Sequence, residues 1–255
     1  MKFMRTVWSL SLFALPVLFL APALLPASDQ AAHWSYEGEE GPEHWSDLSG
    51  DYHMCRGGSN QSPIDLQQFV HAELPELVFD YVSPPNRETN MGHTIQLDVE
   101  PGNFLKIPSR GRIFELKQFH FHSPSEHTIE GQSFAMEMHF VHVEEGGGLA
   151  VVGVMLKEGK EHPVLNKLWS FMPKNAGESV VPPIGIEETD LLPPTREYYY
   201  YSGSLTTPPC SEGVAWFVLK NPIEASAEQI ATFKQYVGPA TNRPVQPRNS
   251  RLILD

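Results

Sequence analysis

The chain has 255 residues, 41% of them hydrophobic, which is enough to build the core of one large domain. Its 31 acidic residues outnumber its 18 basic ones and give a formal net charge of −13. Nucleic acid is therefore excluded as a partner, because phosphate backbones require a basic surface. A solvated acidic surface that aids solubility accounts for the charge.

Residues 1–27 have the composition of a secretory signal peptide. A short basic start precedes an almost continuous apolar run at 7–25, and the small residue Ala27 stands before a polar stretch. An uncleaved anchor is the alternative, because the run approaches the length of about 20 residues that spans a bilayer. Several prolines argue against a stable spanning helix. We expect residues 28–255 to form one domain, periplasmic or secreted, without a stable membrane anchor.

Short alternating segments separated by turn residues predict a mainly β protein, and most of the 23 prolines stand between these segments. The predicted strands are 77–81, 93–100, 104–107, 113–122, 134–143, 149–157, 198–202 and 214–219. Two helices are predicted. The first is 163–172, with Pro163 in its first turn, and the second is 226–237, where Ser226 and Gln229 form a capping box.

The two cysteines, Cys55 and Cys210, lie far apart in the chain. An oxidising compartment favours a disulfide between them, which would close a very long loop. Two buried free thiols are the alternative.

Two predicted strands carry histidines in a pattern typical of a metal site. In a strand, side chains alternate between faces, so His120 and His122 share one face while Phe119 and Phe121 share the other. Such a pair is usually incidental in a single strand. The strand 134–143 adds His139, and three imidazoles with an open fourth position are the ligand set of a catalytic zinc.

Other polar residues accompany these histidines. Gln118 and Glu137 each lie two residues before a histidine, where they can accept the ring N–H of a ligand. Glu126 follows the first histidine strand, and Thr206 and Thr207 precede two prolines that stiffen their loop. The alternatives are a solvated strand carboxylate for Glu137, and ordinary turns for the other two segments.

Eight segments match one known family in the family's own order. They are HWSY at 33–36, GPEHW at 41–45, NQSPID at 60–65, QFHFH at 118–122, SEH at 125–127, EMH at 137–139, SLTTPP at 204–209 and NRPVQ at 242–246. From about residue 33 to residue 254, the chain resembles an α-class carbonic anhydrase of the exported bacterial type. The resemblance implies a large, twisted, mostly antiparallel central sheet with a few surface helices.

The resemblance also implies the reaction, which is reversible hydration of carbon dioxide to bicarbonate and a proton. Zn²⁺ would be held by His120, His122 and His139, with Gln118 and Glu137 hydrogen-bonded to the ligands. Zinc-bound hydroxide would attack carbon dioxide held against an apolar wall.

Further roles follow from the same match. They are orientation of the hydroxide by Glu126 and Thr206, a bicarbonate contact for Thr207, a proton shuttle for His93, a place in the water network for Tyr36, an apolar wall of Val141, Val151, Leu205, Val214 and Trp216, and the disulfide of exported members for Cys55 and Cys210. Bacterial relatives also allow a homodimer.

Three other functions compete with this one. A non-enzymatic binding protein on the same scaffold would lack a histidine ligand, and all three are present here. A different zinc hydrolase, such as an esterase, would need a shaped acyl pocket or a nucleophilic serine motif, and neither is recognisable. A zinc-storage protein normally carries more ligands per chain.

Overall fold

The computed structural model describes residues 32–182 and 185–255. The predicted signal peptide, residues 1–27, and its boundary with the following domain lie outside the described residues. Among the helices that are described, none is long and apolar enough to cross a membrane.

Strands make up most of the regular structure. Those in the described residues are β1 Asp65–Leu66, β2 Val78–Asp80, β3 Pro85–Asn90, β4 Ile95–Val99, β5 Phe104–Ile107, β6 Arg112–His122, β7 Thr128–Ile129, β8 Met136–Glu144, β9 Leu149–Glu158, β10 Ser179–Val180, β11 Tyr198–Ser204, β12 Glu212–Leu219 and β13 Ile223–Ala225. The α-helices are α1 Trp45–Leu48, α2 Met54–Gly57, α3 Pro163–Phe171 and α4 Ala227–Val237. Short 3-10 helices lie at Gly38–Glu40, Gly50–Tyr52, Pro108–Arg110 and Glu188–Leu191.

In the described part of the chain, eleven strands form one large sheet with the central order β10-β3-β4-β6-β8-β9-β12-β11. Strand β5 joins it beside β6, β2 joins beside β5, and β13 joins beside β9. Neighbouring strands are antiparallel except that β9 runs parallel to β12 and to β13. Strands β1 and β7 form a separate parallel pair. The predicted mainly β fold, with a large and mostly antiparallel sheet and a few helices, is confirmed.

The alternation predicted for β6 separates a core face from a polar face. Phe119 and Phe121 are fully buried in the main hydrophobic core. The ring of Phe121 lies 5.0 Å from that of Trp169 in α3 and 6.2 Å from that of Phe233 in α4. Burial of each phenylalanine contributes about 1.5–3 kcal/mol, so the two helices fix which face of β6 carries the histidines.

All eight predicted strands are present, seven of them with shifted ends. The segment predicted as 93–100 begins at Ile95, so His93 precedes β4 rather than belonging to it. Strand β3 was missed because its sequence, PNRETN, is polar, although Glu88 and Asn90 within it are fully buried. Strands β1, β7, β10 and β13 have two or three residues each, too few to show a period.

Both predicted helices are confirmed as α3 and α4. Ser226 caps α4, and its reciprocal hydrogen bonds with Gln229 form the predicted capping box. Cys55 and Cys210 form a disulfide with a Cα–Cα distance of 5.0 Å. The disulfide prediction is therefore confirmed, and the alternative of two free thiols is wrong.

Candidate metal centre

Three histidines meet on the polar face of the sheet. His120 and His122 come from β6 and His139 from β8, and the register of the two strands places His120 directly opposite His139. His122 and His139 are each only 1% exposed. One nitrogen from each of the three rings lies within 4.8 Å of the other two.

Each ring has its other nitrogen occupied by a hydrogen bond. His120 Nδ1 lies 2.8 Å from Gln118 Oε1, and His139 Nε2 lies 2.9 Å from Glu137 Oε1. His122 Nδ1 lies 2.6 Å from the main-chain oxygen of Thr241. With these nitrogens donating, the nitrogens left for a ligand are Nε2 of His120, Nε2 of His122 and Nδ1 of His139.

This arrangement fits a zinc ion. His122 Nε2 is buried and has no hydrogen-bond partner among the described residues, a costly state for a polar atom unless a ligand occupies it. Three imidazole nitrogens within 4.8 Å of one another, on rings oriented by hydrogen bonds, match the donor set of a zinc site with three protein ligands. A second group, His127, Glu137 and His139, is equally close but is already joined by hydrogen bonds.

The electrostatics of the site keep two of the ligand rings neutral. Burial lowers the pKa of His120 well below its usual value, and the neighbouring rings of His122 and His139 lower it further. Burial also lowers the pKa of His122. Metal ligation requires the unprotonated ring, so both histidines are ready to bind at neutral pH.

His139 differs because a carboxylate stands behind it. Burial acts to lower the pKa of His139, but the Glu137 carboxylate outweighs it and raises that pKa. Burial would raise the pKa of Glu137, yet His127 and His139 hold it well below the usual range. Glu137 is thus an ionised carboxylate that makes the His139 ring a stronger electron donor.

Glu137 also fixes the turn that follows β6. Its Oε2 accepts hydrogen bonds from the main-chain N–H groups of Glu126 at 2.9 Å and His127 at 2.8 Å. Its Oε1 lies 2.7 Å from His127 Nδ1, and His127 Nε2 lies 2.6 Å from the Tyr201 hydroxyl. The Glu126 side chain is consequently held at a fixed position beside the histidines.

One oxygen of Glu126 faces the histidine cluster. Its Oε1 accepts the main-chain N–H of Arg243 at 2.8 Å. Its Oε2 is buried without a hydrogen-bond partner in the described residues, 3.6 Å from His122 Nε2 and 3.9 Å from His139 Nδ1. Thr206 is buried, and the described hydrogen bonds include none between its hydroxyl and Glu126. The paired role of these two residues stays a prediction.

Beside the histidines lies an apolar surface. The five residues predicted for the wall belong to one apolar cluster: Val141, Val151, Leu205, Val214 and Trp216. The Trp216 ring lies 4.9 Å from that of His139, and its indole N–H donates to the Ser204 main-chain oxygen at 3.0 Å. Thr207 is half-buried in the loop that follows β11.

Comparison with known proteins agrees with this geometry. The model of the eukaryotic-type carbonic anhydrase family matches residues 40–255. A carbonic anhydrase of Klebsiella pneumoniae is 44% identical over 236 residues, which are 92% of this chain and 96% of that protein. The chain belongs to the eukaryotic-type, or α, carbonic anhydrase family. It is an enzyme of that family.

Solved structures of carbonic anhydrases share the fold. The α-carbonic anhydrase of Thermovibrio ammonificans, in complex with the inhibitor sulfanilamide, superposes with a TM-score of 0.86 at 47% identity, covering 89% of this chain and 100% of that one. A hyperthermostable carbonic anhydrase from an active hydrothermal vent chimney gives 0.84 at 52% identity, covering 87% and 99% of the two chains.

The predicted carbonic anhydrase shuttle, His93, lies at the edge of the site. Its ring centroid is 4.3 Å from that of Trp34 and 6.4 Å from that of Tyr36. Burial lowers the pKa of His93 to about 4, with a further contribution from His122. The Tyr36 hydroxyl is buried without a partner in the described residues, and burial raises its pKa well above the usual value.

Two contributors to the site were missed from the sequence. The Thr241 main-chain oxygen that holds His122 carries no side-chain signal at all. Arg243 lies in the NRPVQ segment at 242–246, which was singled out without a role. The motif gives no sign of the three hydrogen bonds that its buried guanidinium donates.

Proposed function

We propose that this chain catalyses the zinc-dependent, reversible hydration of carbon dioxide to bicarbonate and a proton. The observation that carries the proposal is a set of three ring nitrogens within 4.8 Å of one another beside an apolar wall, each ring fixed by a hydrogen bond at its other nitrogen. Membership of the carbonic anhydrase family supports the reaction.

His120, His122 and His139 would hold the zinc. When bound, Zn²⁺ acts as a Lewis acid that makes water a nucleophile at neutral pH, and carbonic anhydrase is the standard example of this effect. The protein's part is to keep the rings of His120 and His122 unprotonated and to orient all three rings. Gln118, Glu137 and the Thr241 main chain serve the second purpose.

Glu126 and Thr206 would orient the nucleophile. A carboxylate oxygen accepts hydrogen bonds, so the free Oε2 of Glu126 can accept one from the Thr206 hydroxyl. The Thr206 oxygen is then left with lone pairs alone, and an attacking oxygen must donate its hydrogen to it. This fixes the direction in which the nucleophile's own lone pair points.

The apolar wall suits a small substrate without charge. Carbon dioxide has no net dipole, so dispersion contacts and exclusion of water are the main attractions that a protein can offer it. Thr207 would contact the bicarbonate product beside this wall. His93 would carry the proton away from the site.

We infer that the mature protein acts outside the cytoplasm, after removal of residues 1–27. The disulfide between Cys55 and Cys210 supports this, because such bonds persist in oxidising compartments.

A stopped-flow assay of carbon dioxide hydration on the purified mature protein tests the function. We expect activity with one zinc per chain, loss of activity on dialysis against a chelator, and recovery on addition of zinc. A protein loaded with one zinc that does not accelerate hydration would contradict the proposal. Ester hydrolysis measured in parallel tests the esterase alternative, which requires a higher kcat/KM for the ester.

A further inference from the structure

We propose that Arg243 is a positioning residue for this reaction, because its guanidinium fixes the main-chain segment that holds both His122 and Glu126. The inference rests on the proposed function. No role for Arg243 follows from the ligand set or from the apolar wall.

The segment from Thr241 to Arg243 reaches the site through main-chain atoms. The Thr241 oxygen accepts from His122 Nδ1 at 2.6 Å, and the Arg243 N–H donates to Glu126 Oε1 at 2.8 Å. The segment belongs to no helix or strand, so no ladder of hydrogen bonds holds it in place. Thr241 is tied to Ser123, whose main-chain oxygen accepts the Thr241 N–H at 2.8 Å. The Arg243 end depends on its side chain.

Arg243 is 1% exposed, and its guanidinium donates three hydrogen bonds to the segment 55–62. Its Nη1 donates to Gln61 Oε1 at 2.9 Å and to the Ser62 main-chain oxygen at 2.8 Å. Its Nη2 donates to the Cys55 main-chain oxygen at 2.7 Å. The guanidinium also lies 5.6 Å from the centre of the Trp45 ring. These contacts determine where the Arg243 main chain lies, and therefore where Glu126 Oε1 is held.

The Arg243 contact with Ser62 extends to the loop of Thr206. The Ser62 N–H donates to Ser204 Oγ at 2.8 Å, and the Ser204 N–H donates to Ser62 Oγ at 3.0 Å. Ser204 stands two residues before Thr206 in the chain. The contacts of the buried Arg243 guanidinium thus lead both to Glu126 and to the loop that carries Thr206.

The charge of Arg243 indicates more than a structural role. Within the described residues it forms no ion pair, and its guanidinium hydrogens go to neutral oxygens. A buried cation paired in this way costs desolvation energy that an apolar side chain would avoid. The Glu126 carboxylate is near enough for its charge to offset part of that cost.

The chain offers a matched control in Arg251. It is also largely buried, at 9% exposure, and donates to three main-chain oxygens, those of Arg248, Ser202 and Pro247. Its guanidinium lies 5.6 Å from an aromatic ring, that of Tyr201. It donates no hydrogen bond to Glu126 or to the Thr241–Arg243 segment.

The experiment compares zinc-loaded Arg243→Gln and Arg251→Gln with the wild type, each alone and combined with Glu126→Gln. We expect Arg243→Gln to keep one zinc per chain and to lower kcat/KM for hydration by about tenfold or more. The double variant should be no slower than Glu126→Gln alone, because the two residues act as a unit. Arg251→Gln should lower thermal stability, leave kcat/KM within about twofold, and combine additively with Glu126→Gln.

Amide hydrogen exchange supplies a readout that does not use activity. Exchange at residue 243 should accelerate by about tenfold in Arg243→Gln and not in Arg251→Gln, since the N–H that faces Glu126 is released. If the glutamine variant does not fold, Arg243→Lys replaces it, because lysine keeps the charge but can form fewer of the hydrogen bonds. We expect the same directions for it, a lower kcat/KM and faster exchange at residue 243. An unchanged kcat/KM, or additivity with Glu126→Gln, overturns the inference. An inactive zinc-loaded wild type overturns the proposed function instead.

Discussion

The three clustered histidines are oriented by three different acceptors: an amide oxygen, a main-chain oxygen and a carboxylate. Only the carboxylate adds negative charge, so the ring of His139 receives the strongest electrostatic support. The other two acceptors fix the ring tautomers at little electrostatic cost. Under the proposed function, this arrangement would leave most of the charge of a bound dication available to the substrate side of the site.

His139→Ala should abolish stoichiometric zinc binding, because two imidazoles remain and Glu137 loses one of its partners. Metal analysis of the purified protein measures this, and kcat/KM for hydration should fall with the zinc content. His71→Ala is the matched control, since that side chain is 91% exposed. Zinc retained at one per chain in His139→Ala would show that the metal lies elsewhere.

Thr206→Ala should keep one zinc and lower kcat/KM by about a hundredfold, since it removes the alignment of the nucleophile and not the ion. Thr206→Ser retains the hydroxyl and should recover most of the rate. Stopped-flow hydration measures both variants. Equal kcat/KM values in the alanine variant and the wild type would show that the loop of Thr206 is an ordinary turn without a part in the reaction.

His93→Ala should lower kcat in dilute buffer by about tenfold, less than a fully effective general base supplies, because the pKa of about 4 makes the neutral ring a weak proton acceptor. The kcat/KM value should change little, and added imidazole should restore kcat. If kcat in dilute buffer does not move, proton transfer does not pass through His93.

At the scale of elements, the pairing of β6 with β8 decides the site. Side chains on a strand alternate, so the register that buries Phe119 and Phe121 also places His120 opposite His139. This much could be predicted from the sequence, because both the histidines and the phenylalanines follow a period of two. The capping box of α4 could also be predicted, because its signal lies within four consecutive residues.

The remaining elements of the fold depend on contacts that no local pattern reports. Strand β3 carries a polar sequence and takes its place in the sheet by pairing with β4 and β10. The Thr241 oxygen belongs to the main chain of an irregular segment, and any residue could provide it. Positions of this kind are set by the packing of distant segments.

Strand β3 also carries a buried acid that should make stability depend on pH. Glu88 is fully buried, and neither carboxylate oxygen has a hydrogen-bond partner among the described residues. Burial raises its pKa from 4.5 to about 8. Between these values the folded protein keeps a proton that the unfolded chain releases, so this group lowers the free energy of unfolding as pH rises through that window.

Glu88→Gln should therefore raise Tm relative to the wild type by more at pH 8 than at pH 5. Each kcal/mol gained corresponds to about 2–4 °C for a domain of this size. Calorimetry at the two pH values measures the difference, and Glu73→Gln, an exposed site, should show none. A Tm difference independent of pH would mean that Glu88 has a partner in solution.

At the scale of the whole molecule, the site is closed by segments far apart in sequence. His122 and Thr241 are separated by 119 positions, Glu126 and Arg243 by 117, and Cys55 and Arg243 by 188. The disulfide joins the region of Cys55 to the loop of Thr206 across 155 positions. The disulfide, unlike the hydrogen bonds, persists in the unfolded chain and restricts it strongly because it closes a long loop.

Replacing both Cys55 and Cys210 with serine should lower Tm by about 10 °C, taking the loop-entropy value of roughly 4–5 kcal/mol as an upper limit. Hydration activity at 25 °C should be retained, since the bridge chiefly constrains the unfolded state. Thermal scans and stopped-flow assays measure the two effects. Lost kcat/KM in the folded variant would assign the disulfide a direct part in holding the Thr206 loop.

The Thr241 oxygen that holds His122 has a consequence for the order in which the protein matures. Translation runs from the amino terminus, so a nascent chain exposed only as far as β12 contains all three histidines but neither Thr241 nor Arg243. At that stage the His122 ring lacks the Thr241 main-chain oxygen that fixes its orientation. Under the proposed function, all three rings are oriented for zinc only after residues 241–243 have been made and have packed in place.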